Sequence, residues 1–349
     1  MAFTTINKST DYFNTKLYTG TSSGNQAVTG VGFQPDWIWT KNRVDAFGSN
    51  LYDAIRGTGY YLQSNNTSAS QSAVASLISF DSDGFTVGTG DNVQYTSNNG
   101  VAWNWKAGTT SGITTNGATV TTPSSYSFNQ TAGFSILQYT GTGVTNNKLA
   151  HGLGVKPDFI IFKKTSGDIN WGIYHQSLTA DYRLLFTTGA KSDDDSFMQD
   201  SEPDSVNINL GYGGLNNASG ATYIAYCFAD VQGYSKFGSY TGNGSTDGAF
   251  IYTGFKPALV IFKKTSGTGG WNMFDTKRDP FNVQDQILRA NANNAEASDS
   301  GYSDNDFLSN GFKLRQTWGE MNGSGATYIY MAFAEAPLVG TNNVPANAR

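Results

Sequence analysis

The sequence predicts an all-β chain of three tandem β-sandwich, jelly-roll-like domains of similar fold, and three observations carry that expectation. The first is a phrase written three times: Tyr18-Thr19-Gly20, Tyr139-Thr140-Gly141 and Tyr240-Thr241-Gly242 precede Pro35, Pro157 and Pro257 at a near-constant offset, and such self-similarity marks repeated units. The second is composition. Only 14% of residues are charged, against about 25% in an ordinary globular protein, while 41 glycines and 14% aromatics favour turns and strands over helices. The third is the run after each proline, Pro35-Asp36-Trp37-Ile38-Trp39-Thr40-Lys41, Pro157-Asp158-Phe159-Ile160-Ile161-Phe162-Lys163 and Pro257-Ala258-Leu259-Val260-Ile261-Phe262-Lys263. Short, apolar and entered through proline, it reads as a strand buried on both faces.

The remaining elements fall in order around that strand. Leu51-Tyr52-Asp53, Ile173-Tyr174-His175 and Met273-Phe274-Asp275 occupy matching places, and each unit closes on an aromatic-rich run: Gly100 to Lys106, Tyr223 to Ala229 and Tyr328 to Ala334. A unit is thus about 100 residues, the size of a complete small domain, whereas solenoid repeats of about 20 to 50 residues need neighbours to bury a core. The expected division is residues 1–106, 134–230 and 234–335 for the three modules. Residues 107–133 are a Thr/Ser/Gly-rich connector or edge strand, and 336–349 a C-terminal tail. Val231-Gln232-Gly233 leaves little slack between the second and third modules, which should therefore be packed together or fixed in relative angle. Asp83-Gly84 and Asn310-Gly311 predict type I′ hairpin turns, replaced in the second unit by Glu202-Pro203-Asp204.

Charge and residue counts exclude several function classes. A net charge of −5 with no dense basic stripe argues against phosphate-backbone binding. Cys227 is the one cysteine, so an intrachain disulfide cannot form, and its apolar strand context predicts a buried structural thiol. Met1 to Lys8 carries no basic or apolar leader pattern, and no stretch approaches 18 apolar residues.

Candidate chemistry is sparse. Asp81-Ser82-Asp83-Gly84 begins like a calcium loop, but Asn92 stands where the bidentate Glu belongs, so a turn is the stronger reading. Ser192-Asp193-Asp194-Asp195 reads as a solvated loop. His151 and His175 are too few for a zinc site with one cysteine, and His175 stands where the sister units have Asp53 and Asp275, which points to a hydrogen-bonding or turn position rather than catalysis. Glu202, Glu296, Glu320 and Glu335 are the only glutamates and none recurs, so a hydrolase site would be peculiar to one unit. Asp275 and Arg278 repeat Asp53 and Arg56, a local pair that can hold a loop or grip a sugar. With Trp171 and Trp271, which adjoin Gly-rich loops, they are the surface-contact candidates, although packing is the stronger reading for each.

Phe3-Thr4-Thr5-Ile6-Asn7-Lys8-Ser9-Thr10, Gly32-Phe33-Gln34-Pro35-Asp36-Trp37-Ile38-Trp39, Phe80-Asp81-Ser82-Asp83-Gly84-Phe85 and Ala102-Trp103-Asn104-Trp105-Lys106-Ala107-Gly108 resemble repeat modules of tailed-phage virion proteins, notably marine and cyanobacterial ones. The resemblance covers nearly the whole chain, is closest in the first unit and weakest in the second, and brings no catalytic residues with it. It implies a non-enzymatic virion structural protein, a tail fibre or short appendage contacting the host surface. A capsid decoration or head-fibre protein is the alternative, favoured by the lack of sustained heptads for a shaft, and a virion-borne glycan depolymerase is the second. Expected partners are other virion proteins of tail or capsid and a host cell-surface glycan, in a homo-oligomer such as a trimer, without nucleic acid, membrane insertion, metal or cofactor. The expected location is the virion, after synthesis in the host cytoplasm.

Overall fold

The computed structural model describes residues 4–339 apart from 22, 91–92, 94–98, 116–119 and 299–300, and it is nearly all β, with 44% strand and 3% helix. The first third contributes β1 (Phe13–Thr19), β2 (Gln26–Thr29), β3 (Trp37–Asn42), β4 (Asn50–Asp53), β5 (Tyr60–Gln63), β6 (Gln71–Ser72), β7 (Leu77–Asp81), β8 (Gly84–Val87) and β9 (Asn99–Trp105). The middle third contributes β10 (Val120–Thr121), β11 (Ser125–Asn129), β12 (Phe134–Thr140), β13 (Asn147–Ala150), β14 (Phe159–Lys164), β15 (Gly172–His175), β16 (Tyr182–Arg183), β17 (Ser192–Asp193), the one-turn helix α1 (Asp195–Met198), β18 (Asn207–Leu210) and β19 (Thr222–Phe228). In the last third lie β20 (Ser235–Thr241), β21 (Phe250–Tyr252), β22 (Phe255–Lys264), β23 (Trp271–Asp275), β24 (Gln286–Arg289), β25 (Ala297–Ser298), β26 (Asn305–Leu308), β27 (Gly311–Leu314) and β28 (Thr327–Pro337).

The first and last thirds build their sheets in the same strand order, and the middle third keeps the central part of it with β11 and β10 added at the edges. The larger sheets run β1-β9-β3-β4-β5-β6, β11-β12-β19-β14-β15 and β20-β28-β22-β23-β24-β25, and the smaller ones β2-β8-β7, β10-β13-β18 and β21-β27-β26. In the middle third β16 and β17 form a separate ribbon tied to β15 by the Ile173–Leu184 bridge, and the short parallel strand β10 flanks β13. The proline-entered strand lies inside each larger sheet, paired on both sides, and is buried along nearly all its length.

Alternation along those strands divides the core in two. Ile38, Tyr52 and Ala102 pack with Val28 and Phe85 of the small sheet. Ile160, Phe162 and Cys227 do the same with Leu149 and Ile208, and Val260, Phe262 and Ala332 with Ile251 and Phe312. Their alternate neighbours point the other way, into one cluster shared by all three thirds: Trp37, Trp39, Trp103 and Trp105, then Phe159, Ile161, Tyr226 and Phe228, then Leu259, Ile261, Met331 and Phe333. Rings from different thirds touch directly. Trp37 stacks on Tyr226 at 4.6 Å, Trp105 meets Phe333 edge-on at 5.4 Å, and Phe159 meets Trp271 at 6.5 Å. The strand periodicity of 2 therefore feeds two cores at once.

Several local expectations are corrected. In both hairpins the loop residues are Ser82-Asp83 and Ser309-Asn310, because Asp81 pairs with Gly84 and Leu308 with Gly311. None of those loop residues has positive φ, so the turns are not type I′. The glycines answer a close approach instead: a Cβ on Gly84 would lie 2.0 Å from the Val28 carbonyl oxygen, and one on Gly311 2.1 Å from that of Ile251. Of the two readings of 107–133 the edge strand is the one found: β11 pairs along its whole length with β12 at the edge of its sheet, and Thr109 bridges Phe128. Ala118 and Thr119 lie outside the described residues. β28 continues past residue 335 to Pro337, and the rest of the expected tail from 340 on lies outside the described residues. At one pole three distant pieces of chain meet: the Thr4 hydroxyl donates to the Gln232 carbonyl at 2.6 Å, and a Cβ on Gly233 would touch Thr4 and Pro337 at 2.9 and 3.2 Å.

Candidate functional site

The recurring polar positions meet at three seams, one between each pair of thirds. Ser70 N–H donates to the Thr165 carbonyl at 3.0 Å, Lys191 N–H to that of Thr265 at 3.1 Å, and Glu296 N–H to that of Arg43 at 2.9 Å. Each bond runs from a loop of one third to the residue just beyond the proline-entered strand of the next, and the last third reaches the first. The seams therefore close into a ring.

A buried lysine repeats beside each seam. Lys41 donates to the carbonyls of Phe47 at 2.8 Å and Ala292 at 3.1 Å. Lys163 donates to Ile169 at 2.7 Å and Thr67 at 2.9 Å, and Lys263 to Gly269 at 2.6 Å and Thr188 at 3.2 Å. One acceptor is always six residues downstream and the other belongs to the adjacent third. Burial lowers all three ammonium pKa values to about 8. These lysines escaped the sequence reading as site residues, although each follows the apolar positions of its strand in strict alternation and so had to face the same core.

The Asp53, His175 and Asp275 position explains its own substitution. Tyr226 O–H donates to Asp53 at 2.7 Å, and Trp103 Nε1–H donates to Asp275 at 3.1 Å. Trp103, Tyr226 and Met331 hold equivalent registers in β9, β19 and β28, opposite Thr15, Ile136 and Phe237. Met331 has no N–H or O–H to offer, and there the partner is His175, whose Nε2 lies 3.3 Å from the Tyr330 carbonyl. Ser177 N–H donates to His175 Nδ1 at 3.1 Å, which fixes the neutral tautomer with its proton on Nε2. Burial lowers the pKa of His175 to about 4. His151 follows the same pattern, accepting from Leu153 N–H and facing the Asp204 carbonyl, with burial again lowering its pKa to about 4.

The surface-contact candidates are interior. Trp171 and Trp271 are 1% and 2% exposed, and their indole N–H groups donate across seams to the Gln63 and Leu185 carbonyls at 2.9 and 2.8 Å. Flanking Gly-rich loops signalled close packing here, not a rim. Asp275 and Arg278 form a buried pair at 2.5 Å; Arg278 also reaches Glu296 at 2.9 Å, and Glu296 takes Arg43 of the first third at 2.6 Å. One carboxylate thus joins two guanidiniums where the ring closes. The first third has the simpler version, Asp53 with Arg56 at 2.6 Å.

Other sequence candidates are local devices. Asp83 accepts from Gly30 and Gly32 N–H at 3.0 and 2.7 Å, bonds that hold its carboxyl below the usual range. Asp194 caps α1 through Ser196 N–H and pairs with Arg183. Cys227 is buried and burial pushes its thiol to about 12, as expected of an inert structural thiol. Among the described residues no three His, Cys, Asp or Glu side chains converge on a point that could hold a metal ion, and no helix is long and apolar enough to cross a membrane.

One open concavity lies where the second and third thirds join, a cavity of about 480 Å³ lined by Asp230, Gln232, Lys236, Tyr252, Thr253 and Gly254 among others. Lys236 pairs with Asp230, whose other oxygen accepts from Phe237 N–H at 2.7 Å. Burial raises the Asp230 pKa despite that pairing. Tyr252 is 55% exposed and Phe250, two residues back on the same strand face, 44%.

A family model described as a domain of unknown function (DUF7483) matches residues 8–337. No curated protein matches, and no solved structure does.

Proposed function

The chain belongs to the family of the domain of unknown function DUF7483, and since that membership carries no activity with it, we propose from fold and resemblance that it is a non-enzymatic structural protein of a phage virion. In this reading each third is a β-sandwich module, and the three close into one block that serves as a tail fibre or short appendage at the host surface. The observation that carries it is the use of the repeated polar residues. Lys41, Lys163 and Lys263 bond carbonyls across seams, and Asp53, His175 and Asp275 each hold the neighbouring module. What the modules share is thus assembly hardware, as a scaffold requires.

The ring also favours a second reading, capsid decoration, because a block with threefold arrangement inside one chain suits a symmetry axis of a shell. Homo-oligomers in either setting form through outer surfaces, the seams being occupied within the chain. Gold-labelled antibody against this chain on intact particles separates the two: label at the tail supports the appendage, label over the head replaces it with decoration, and unlabelled particles overturn both. Incubation with host polysaccharide should release no reducing ends; their release would make the protein a depolymerase.

A further inference from the structure

We propose that the cavity beside Tyr252 is a saccharide site for a neutral pyranose-containing glycan. This deepens the host-attachment reading above, on which its biological setting rests, although its chemistry does not. Three features of the third module carry it.

The first is the pose of the aromatic rings. Phe250 and Tyr252 share the outer face of β21, about 7 Å apart as i and i+2 strand positions. Each ring lies against a glycine: a Cβ on Gly311 would meet the Phe250 ring at 3.1 Å, and one on Gly254 would meet Tyr252 Oη and Cζ at 3.6 and 3.7 Å. Both rings stay open to solvent, at 44% and 55% exposed. Two such rings in a row on one strand offer apolar area to the C–H face of a sugar ring, which exposed aromatics bind by area and dispersion.

The second is the polar set within the cavity. Sugars need donors and acceptors side by side for adjacent hydroxyls. Asp230 and Lys236 supply an acceptor and a donor already held as a neutral pair, and the exposed Gln232 amide supplies one of each. Thr253 is committed elsewhere, donating to the Phe255 carbonyl at 2.7 Å. Net neutrality of the pair selects an uncharged glycan over an acidic one. The volume, about 480 Å³, falls within the usual range of small-ligand sites, about 300 to 1,000 Å³.

The third is uniqueness. By register in the small sheets, the positions of Phe250 and Tyr252 are held by Ala27 and Thr29 in the first module and by Lys148 and Ala150 in the second. The aromatic pair is therefore confined to one module, as a specificity element added to a shared scaffold would be.

The test titrates the full chain with maltotriose, chitotriose and mannotriose, followed by saturation-transfer NMR and calorimetry. At least one should bind, with transfer concentrated on one pyranose face. Tyr252→Ala should weaken it about tenfold or more and Gln232→Ala by a few-fold, while Tyr60→Ala, at an exposed tyrosine of the first module, leaves it unchanged. No binding by any of the three at about 10 mM, or binding unaffected by Tyr252→Ala, overturns the proposal. A Tyr252→Ala variant that changes oligomeric mass marks a protein interface instead, and one that only loses stability marks a ring covering its glycine; either result also overturns it. Glycan binding by a protein missing from the particle would sink the virion reading alone, and a particle-borne protein that binds none of the sugars would sink this site alone.

Discussion

At the scale of single residues, the three buried lysines make stability depend on pH in an unusual direction. Their folded pKa of about 8 lies below the unfolded value of about 10.4. Between those values the unfolded chain binds more protons, so raising pH through 8 stabilises the fold. Cys227, pushed up to about 12, works the opposite way above about 8.5, but it is one group against three. The urea midpoint should therefore rise between pH 7.5 and 9, and Lys263→Met should flatten that rise by about a third; a flat or falling midpoint in the parent protein would show the lysines to be charged and solvated. The aspartates give a second contrast. Asp53→Ala leaves Arg56 buried without a carboxylate and should cost about 3 to 5 kcal/mol, whereas Asp275→Ala leaves Arg278 its Glu296 contact and should cost about 1 to 3 kcal/mol. Equal costs by chemical denaturation would contradict the role given to Glu296. That glutamate was invisible in the sequence as a seam residue because it recurs in neither sister module, while the Asp53–Arg56 and Asp275–Arg278 pairs were legible from their three-residue spacing.

For strands and turns, what could be read was whatever repeats locally. The proline-entered strands, the closing strands and the hairpins after Asp81 and Leu308 lie where alternation and turn residues put them. Turn geometry was not legible, since the glycine that follows each loop is required by a neighbouring strand far away in sequence. Gly84→Ala should accordingly destabilise by about 2 to 4 kcal/mol, its Cβ being forced onto the Val28 carbonyl, while Ala at Gly59, where the nearest atom is a Val74 methyl at 3.9 Å, should stay within about 1 kcal/mol. Matched denaturant melts of the two variants decide it; if both melt like the parent, the close approach is not real. The middle third departs furthest from its sisters, with α1 and the extra edge strands β10 and β11, and there the sequence offered the edge-strand reading of 107–133 and a different turn, Glu202-Pro203-Asp204. Its purpose is now plain: Glu202 accepts from Tyr174 O–H, Lys156 and Ala180 N–H, tying the turn to β15.

For the molecule as a whole, periodicity revealed three copies but could not say what their second buried face was for. Trp37, Trp39, Trp103 and Trp105 are all buried, yet the core they enter belongs to no single third. Calorimetry should therefore record one cooperative transition, because separating any third exposes the common aromatic cluster; three resolved transitions would mean that the thirds unfold independently. The meeting of Thr4, Gly233 and Pro337 at one pole carries a different consequence. Thr4 and Pro337, near the two limits of the described residues, lie beside the break between the second and third thirds, so the order of the thirds along the chain is arbitrary with respect to the assembled block. A circular permutant that begins at residue 234, joins residue 337 to residue 4 through a short flexible linker and stops at residue 233 should form the same strands and the same seams. A tag joined at Thr4 or at Pro337 would leave from that one pole, which gives the block a single point of suspension.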